Sequence, residues 1–128
     1  MISWLERNKK VSWTITIIIF LIIFYLSSRK FAPSIGVSLN ILAILYHISI
    51  FFLLAIFLLI SVLERKWEFK KIVSSILIVT IYAGLDELHQ YFVPGRFTSF
   101  SDFLLDFNGI IFASLIYLIL IEIKNQES

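Results

Sequence analysis

The run from Leu39 to Leu63, LNILAILYHISIFFLLAIFLLISVL, decides the fold. Only small hydroxyls, Asn40, Tyr46 and His47 interrupt its apolar character. Its length is close to the ~20 residues a helix needs to cross the hydrocarbon layer. Lipid tolerates only helices or closed barrels, because backbone groups there must pair internally. The run has no strand-like alternation, so it predicts a helix. Three further runs read the same way. Val11 to Leu26 is nearly unbroken, Ile72 to Val93 turns polar at Asp86, and Phe100 to Ile123 turns apolar after Asn108. The expected architecture is all-α: a four-transmembrane-helix bundle with helices at roughly 11–28, 39–63, 71–93 and 100–123, forming one domain over 1–128.

Composition agrees. The 128 residues are 59% hydrophobic and 16% charged, against about 45–50% and 25% in soluble domains. A soluble core of this size could not hide that much apolar surface, so the solvent must be lipid. The absence of cysteine excludes disulfides, thiolate catalysis and Cys-zinc sites. A net charge of +2 is too small to argue for nucleic acid. Pro33 and Gly36 separate the first two runs, the charged stretch Glu64 to Lys71 (ERKWEFKK) the next two, and Pro94-Gly95 the last two. Ser99 or Ser101 suits the cap of the fourth helix, with Asp102 in its first turn.

The distribution of charge predicts orientation. One side carries Arg7, Lys9, Lys10, Arg65, Lys66, Lys70, Lys71 and Lys124; the other carries Arg29, Lys30 and Arg96. The positive-inside rule places the first set, and both termini, in the cytoplasm. Trp4, Trp13 and Trp67 fall near that face, as an aromatic belt should. The basic start also fits a signal peptide. However, Ser27 to Pro33 (SSRKFAP) puts charges and a proline where a cleavage site needs small residues, so the first span is read as retained.

The chemistry lies in Ile81 to Phe97, IYAGLDELHQYFVPGRF, and Ser101 to Gly109, SDFLLDFNG. An Asp at a helix centre costs roughly 2.5–3.5 kcal/mol on insertion scales. Asp86, Glu87, Asp102 and Asp106 all lie in or beside spans. Asp86 and Gln90 share a helical face, flanked by Glu87 and His89. In the fourth span Asp102, Asp106, Gly109 and Ala113 share a stripe whose small residues admit a neighbouring helix. In the second, Asn40, Ala43 and His47 share a stripe, with His47 at the depth of Asp86 and Asp106. These residues are expected to converge on one outer pocket, with Arg96 lying over it.

These residues carry a resemblance to the VanZ-like family of small bacterial membrane proteins. The matching pieces are Ser27-Ser28 ending the first span, His47, Asp86-Glu87 with Gln90, Pro94-Gly95-Arg96, Asp102 and Gly109. They cover most of the chain. Three positions depart from the pattern: Asp106 stands where Asn is frequent, Ala113 where a second Gly is common, and Phe51 where Tyr is frequent. The resemblance implies a multi-pass protein of the bacterial cytoplasmic membrane and a link, in some members, to glycopeptide (teicoplanin) resistance.

Two functional readings follow. In the first, the pocket binds a lipid headgroup, a cell-envelope precursor or an amphiphilic glycopeptide through His47, His89, Gln90, Arg96, Asp102 and Asp106. In the second, an intramembrane enzyme modifies a lipid-linked envelope molecule, with Asp86 or Glu87 as acid or base and Arg96 stabilising negative charge. Each polar group also has a structural alternative. Asp86, Glu87 and Arg96 can lock the third helix to the fourth, His47 can bridge helices, and His89 can touch headgroups. Transport is disfavoured, because the inner halves of the spans are almost wholly apolar and four helices would call for a homodimer; the homodimer itself is left open. Membrane lipids are the expected partners and no cofactor is expected. Asp86 with His89, and Asp102 with Asp106, have spacings that bundles use for metals. They lack a second matching motif, so no metal is assigned. Cysteines introduced at Lys66 and Arg96 should label from opposite sides of the membrane. Labelling at position 66 from outside intact cells would reverse the orientation.

Overall fold

The computed structural model describes residues 2–30, 37–64, 66–96 and 98–126, with side chains in the third helix described from residue 41 onward. The regular structure among them is wholly helical: α1 (Ile2–Arg7), α2 (Lys9–Ser27), α3 (Val37–Leu63), α4 (Phe69–Tyr91) and α5 (Phe100–Gln126). The last four are long and apolar enough to cross a membrane. At 1.5 Å per residue they run roughly 28–40 Å, against a hydrocarbon layer of ~30 Å. The Pro33–Gly36 break, Arg65 and the side chain of Asn40 lie outside the described residues.

The helix ends follow local chemistry. α4 stops at Tyr91, two residues before the expected end, because Pro94 disfavours helical geometry at Val93. The turn passes through Gly95 at φ 83°, a left-handed conformation that suits glycine. Ser99 caps α5: its carbonyl accepts from the Asp102 amide at 2.9 Å, and its hydroxyl accepts from the Ser101 amide at 3.1 Å. After α3, Glu64 turns left-handed at φ 49°. Lys9 Nζ lies 2.6 Å from its carboxylate and holds that group below the usual carboxylate range.

α3 is the hub. It touches α2, α4 and α5, while among the described residues the backbones of α2 and α5 stay apart. A core of Ile23, Phe51, Ala55, Val79, Ala83, Ile110 and Ala113 fills the middle of the bundle. Around it runs a perimeter of exposed Ile, Leu and Phe side chains, the surface expected to face acyl chains. Burial explains two departures from the family pattern. Phe51 is a core side chain against Tyr82, and Ala113 is fully buried where α5 packs.

The closest approach is at Gly109. A Cβ built there would lie 2.3 Å from the Ile48 carbonyl oxygen and 3.1 Å from the Phe52 nitrogen. Both are backbone atoms, so only glycine fits. Deeper in the bundle, buried hydroxyls replace bulk. Thr16, Ser61 and Ser114 each donate to the carbonyl four residues back, and Thr16 Oγ1 meets Ser61 Oγ at 3.3 Å. Self-satisfied small residues let helices approach where water is absent.

The short helix α1 is not apparent in the hydropathy pattern, which shows this segment only as a basic flank. It packs against α2 and α3 and reaches α5 through side-chain bonds. Tyr117 Oη donates to the buried Glu6 Oε1 at 3.0 Å, and Lys124 Nζ donates to Ser3 Oγ at 2.6 Å, which puts both terminal helices at one end. This network qualifies the expectation of an almost wholly apolar inner half. Gly109→Ala should lower the melting temperature in detergent, with an overpacking cost of about 1–3 kcal/mol. A melting temperature equal to wild type would show that α3 and α5 can separate freely.

Candidate functional site

At the end opposite the termini, α2 and α4 finish while α3 and α5 begin. α4 stands between two groups of polar side chains. Its consecutive Asp86 and Glu87 point into different gaps, because neighbouring helical residues are rotated by about 100°.

Asp86 turns toward α2. It is 4% exposed, and its Oδ2 accepts hydrogen bonds from Ser27 Oγ and Gln90 Nε2, both at 2.8 Å. Ser27 is itself fully buried. Its serine pair was visible in sequence as part of the family pattern, but its role as a donor was not, since that depends on where α2 crosses α4. Arg96, in the turn after α4, donates from Nη2 to the Leu26 carbonyl at 2.7 Å. That carbonyl also accepts from the Arg29 amide at 3.1 Å, so Arg96 adds a second donor at the end of α2. Arg96 thus fastens the α4–α5 turn to the end of α2. His89 lies at the outer edge of the same gap, with Nε2 2.9 Å from Ser28 Oγ and its ring 5.0 Å from that of Phe24.

Glu87 turns the other way, toward α3 and α5. There His47 Nδ1 meets Asp106 Oδ1 at 2.8 Å, with His47 only 7% and Asp106 0% exposed. One potential ligand atom from each of His47, Glu87 and Asp106 lies within 4.8 Å of the others. The Asp106 Oδ2 and both Glu87 carboxylate oxygens are buried and make no hydrogen bond of good geometry. Half-buried Asp102, in the first turn of α5, adds its charge to theirs. Tyr46, which drew attention in sequence only as an interruption, lies within electrostatic reach of Asp86, Arg96 and Asp106. It links the two groups.

Two clefts of about 450 Å³ flank α4 at this level. One, between α4 and the start of α5, is lined by Glu87, Tyr91, Ser99, Phe100 and Phe103. The other, between α2 and α4, is lined by Phe20, Phe24, Tyr82, Leu85, Asp86 and His89.

Fold and site together define a multi-pass α-helical membrane protein with buried carboxylates gathered at one end. Residues 4–121 match the family model described as VanZ/LLP1, and the chain belongs to that family. No curated protein matches the chain. No solved structure matches it.

Ser27→Ala should destabilise the protein by about 1.5–3 kcal/mol, the scale of a buried hydrogen bond to a charged group. Chemical or thermal denaturation in detergent reads this directly. Ser28→Ala, at the exposed edge, should have little effect.

Proposed function

We propose that the chain binds the polar head of an amphiphile at the end of the bundle opposite its termini: a membrane lipid, a lipid-linked envelope precursor or an amphiphilic glycopeptide. The observation that carries this reading is the pair of clefts. Each sets a residue with a buried carboxylate, Glu87 in one and Asp86 in the other, beside an apolar, lipid-facing wall. A molecule with a polar head and an acyl chain is complementary to both parts. Four carboxylates, Asp86, Glu87, Asp102 and Asp106, share this end with one arginine, Arg96, and two histidines, His47 and His89. That balance favours heads carrying amines or hydroxyls, or anionic heads accompanied by a cation. Gln90 and Arg96 supply donors at the α2 side. The excess of Lys and Arg at the end bearing the termini supports a cytoplasmic location for that end. The site then opens to the outer leaflet of a bacterial cytoplasmic membrane, where glycopeptides act on envelope precursors. A contribution to teicoplanin resistance is what the resemblance to the VanZ-like family implies for such a site.

A second reading is favoured by one observation. Glu87 reaches a cleft while its oxygens lack good hydrogen bonds, the condition of a group able to exchange a proton with a bound molecule. An enzyme acting on a lipid-linked envelope molecule would use Glu87, with Asp86 held in place by Ser27 and Gln90.

The test is mass spectrometry of lipids that copurify with wild type, Asp86→Asn and Glu87→Gln, with melting and glycopeptide susceptibility measured on the same samples. Glu87→Gln should keep its melting temperature, lose a specific lipid, and lose any change in susceptibility. If the carboxylates serve only to lock helices, breaking their pairings should instead destabilise the variants by about 3–5 kcal/mol. Activity would then fall only with the amount of folded protein. Arg96→Lys keeps the charge but not the planar fork, so an anion held by two guanidinium nitrogens should be lost with it.

A further inference from the structure

We propose that His47, Glu87 and Asp106 form a binding site for a divalent cation of the zinc or manganese type. The set is assembled from three helices, one residue each from α3, α4 and α5. No spacing within a single helix announces it, and the pairs that do have metal-like spacing, Asp86 with His89 and Asp102 with Asp106, are not the ones brought together.

Geometry is the first support. One potential ligand atom from each residue lies within 4.8 Å of the other two. Ligand atoms around a tetrahedral zinc ion, at bonds of ~2.1 Å, stand roughly 3.4 Å apart. His47 Nδ1 and Asp106 Oδ1 are already closer, at 2.8 Å. Seating an ion would require the His47–Asp106 pair to open by a few tenths of an ångström and Glu87 to draw in.

The second support is independent of the clustering. Asp106 is fully buried, yet its Oδ2 has no hydrogen-bond partner. Buried polar atoms are satisfied in the great majority of cases, and a buried charge is normally paired or bound to a metal. Asp86, one residue before Glu87, receives two donors on its Oδ2 and likewise leaves its buried Oδ1 without a hydrogen bond. When both carboxylates are ionised beside a neutral imidazole, their charge of −2 is one that a divalent ion balances. The donor set of one imidazole and two carboxylates suits zinc, manganese or ferrous iron better than the all-oxygen preference of calcium and magnesium.

Position supports the site too. Gly109 holds α5 against the α3 backbone one turn below Asp106, which fixes two of the three ligands relative to each other. Glu87 belongs both to the cluster and to the cleft between α4 and α5. Three protein ligands leave coordination positions for an outside molecule. An anionic phosphate head in that cleft would meet the cation there; this step alone rests on the amphiphile reading.

The experiment uses the full chain in detergent, treated with a chelator and then titrated with Mn²⁺ by electron paramagnetic resonance, with Zn²⁺ as competitor. One saturable Mn²⁺ site per chain, displaced by Zn²⁺, is expected. Glu87→Gln should weaken Mn²⁺ binding about tenfold or more, on the scale of losing one metal-site interaction. Glu122→Gln, at the other end of α5, should bind as wild type. Asp106→Asn is the sharper variant but is fully buried, so a melting measurement accompanies the titration. Mn²⁺ or Zn²⁺ should raise the melting temperature of wild type by mass action, and should fail to do so for Glu87→Gln. Absence of saturable binding by folded wild type overturns the proposal, as does wild-type affinity in both Glu87→Gln and His47→Gln. Cation binding without a copurifying lipid would keep this site and remove the amphiphile reading. Lipid without cation binding would do the reverse.

Discussion

At Gly109 the α5 backbone comes so near α3 that a single methyl group would strike the Ile48 carbonyl. In water, a helix pair can be held by apolar burial with some tolerance in spacing. In lipid that drive is absent, because acyl chains are as apolar as the side chains they replace. Close backbone approach and dispersion must then do the holding, and both fall off steeply with distance. The Gly109 seam is therefore a constraint on position as well as a source of cohesion. It sets the height and rotation at which Asp106 meets His47, and through them the gap that Glu87 enters.

The two ends of the bundle treat charge differently. At the end bearing the termini, the buried Glu6 is met by the Tyr117 hydroxyl and by Lys124, and α1 folds back to make those contacts. At the other end, Asp86, Asp106 and Glu87 each hold a buried oxygen without a hydrogen bond of good geometry, although two donors meet the second oxygen of Asp86. Both arrangements place ionisable groups in a chain that spans lipid, where each is costly. The first has the form of a structural lock. The second leaves capacity for another molecule or ion, and that asymmetry is why the functional argument concentrates there.

Arg96 illustrates how one residue changes meaning between sequence and structure. In sequence it follows a Pro-Gly turn beside a carboxylate-rich helix, which suggests a clamp for anions. In the fold its Nη2 caps the carbonyl of Leu26 and so ties the α4–α5 turn to α2. Structural fastening and ligand contact are compatible for a side chain with five donors, and fastening fixes where the remaining donors point. Ser27 makes the complementary case: a helix-end hydroxyl noted in sequence only as part of the family pattern becomes the buried donor to Asp86.

The number of spans, their boundaries within a few residues, the polar end and the family were readable from the chain alone. Each depends on local properties: hydropathy over some twenty residues, Pro and Gly at turns, and a run of motif residues close in sequence. The small-residue stripe at Gly109 and Ala113 was readable for the same reason, since it needs only helical periodicity. The division of the polar residues was not. Sequence placed Asp86, Glu87, His47 and Asp106 at a common depth and suggested one pocket. Tertiary structure decided that Asp86 faces Ser27 on α2 while Glu87 joins His47 and Asp106, because the gap a side chain enters depends on how each helix is rotated against its neighbours. The docking of α1 was equally hidden, since a six-residue helix has no periodicity of its own and is held by Leu5 in a cluster with Leu59 and Leu63 and by polar contacts to Tyr117 and Lys124. Depth is a property of the chain along one axis; azimuth in the bundle is set by packing between helices far apart in sequence.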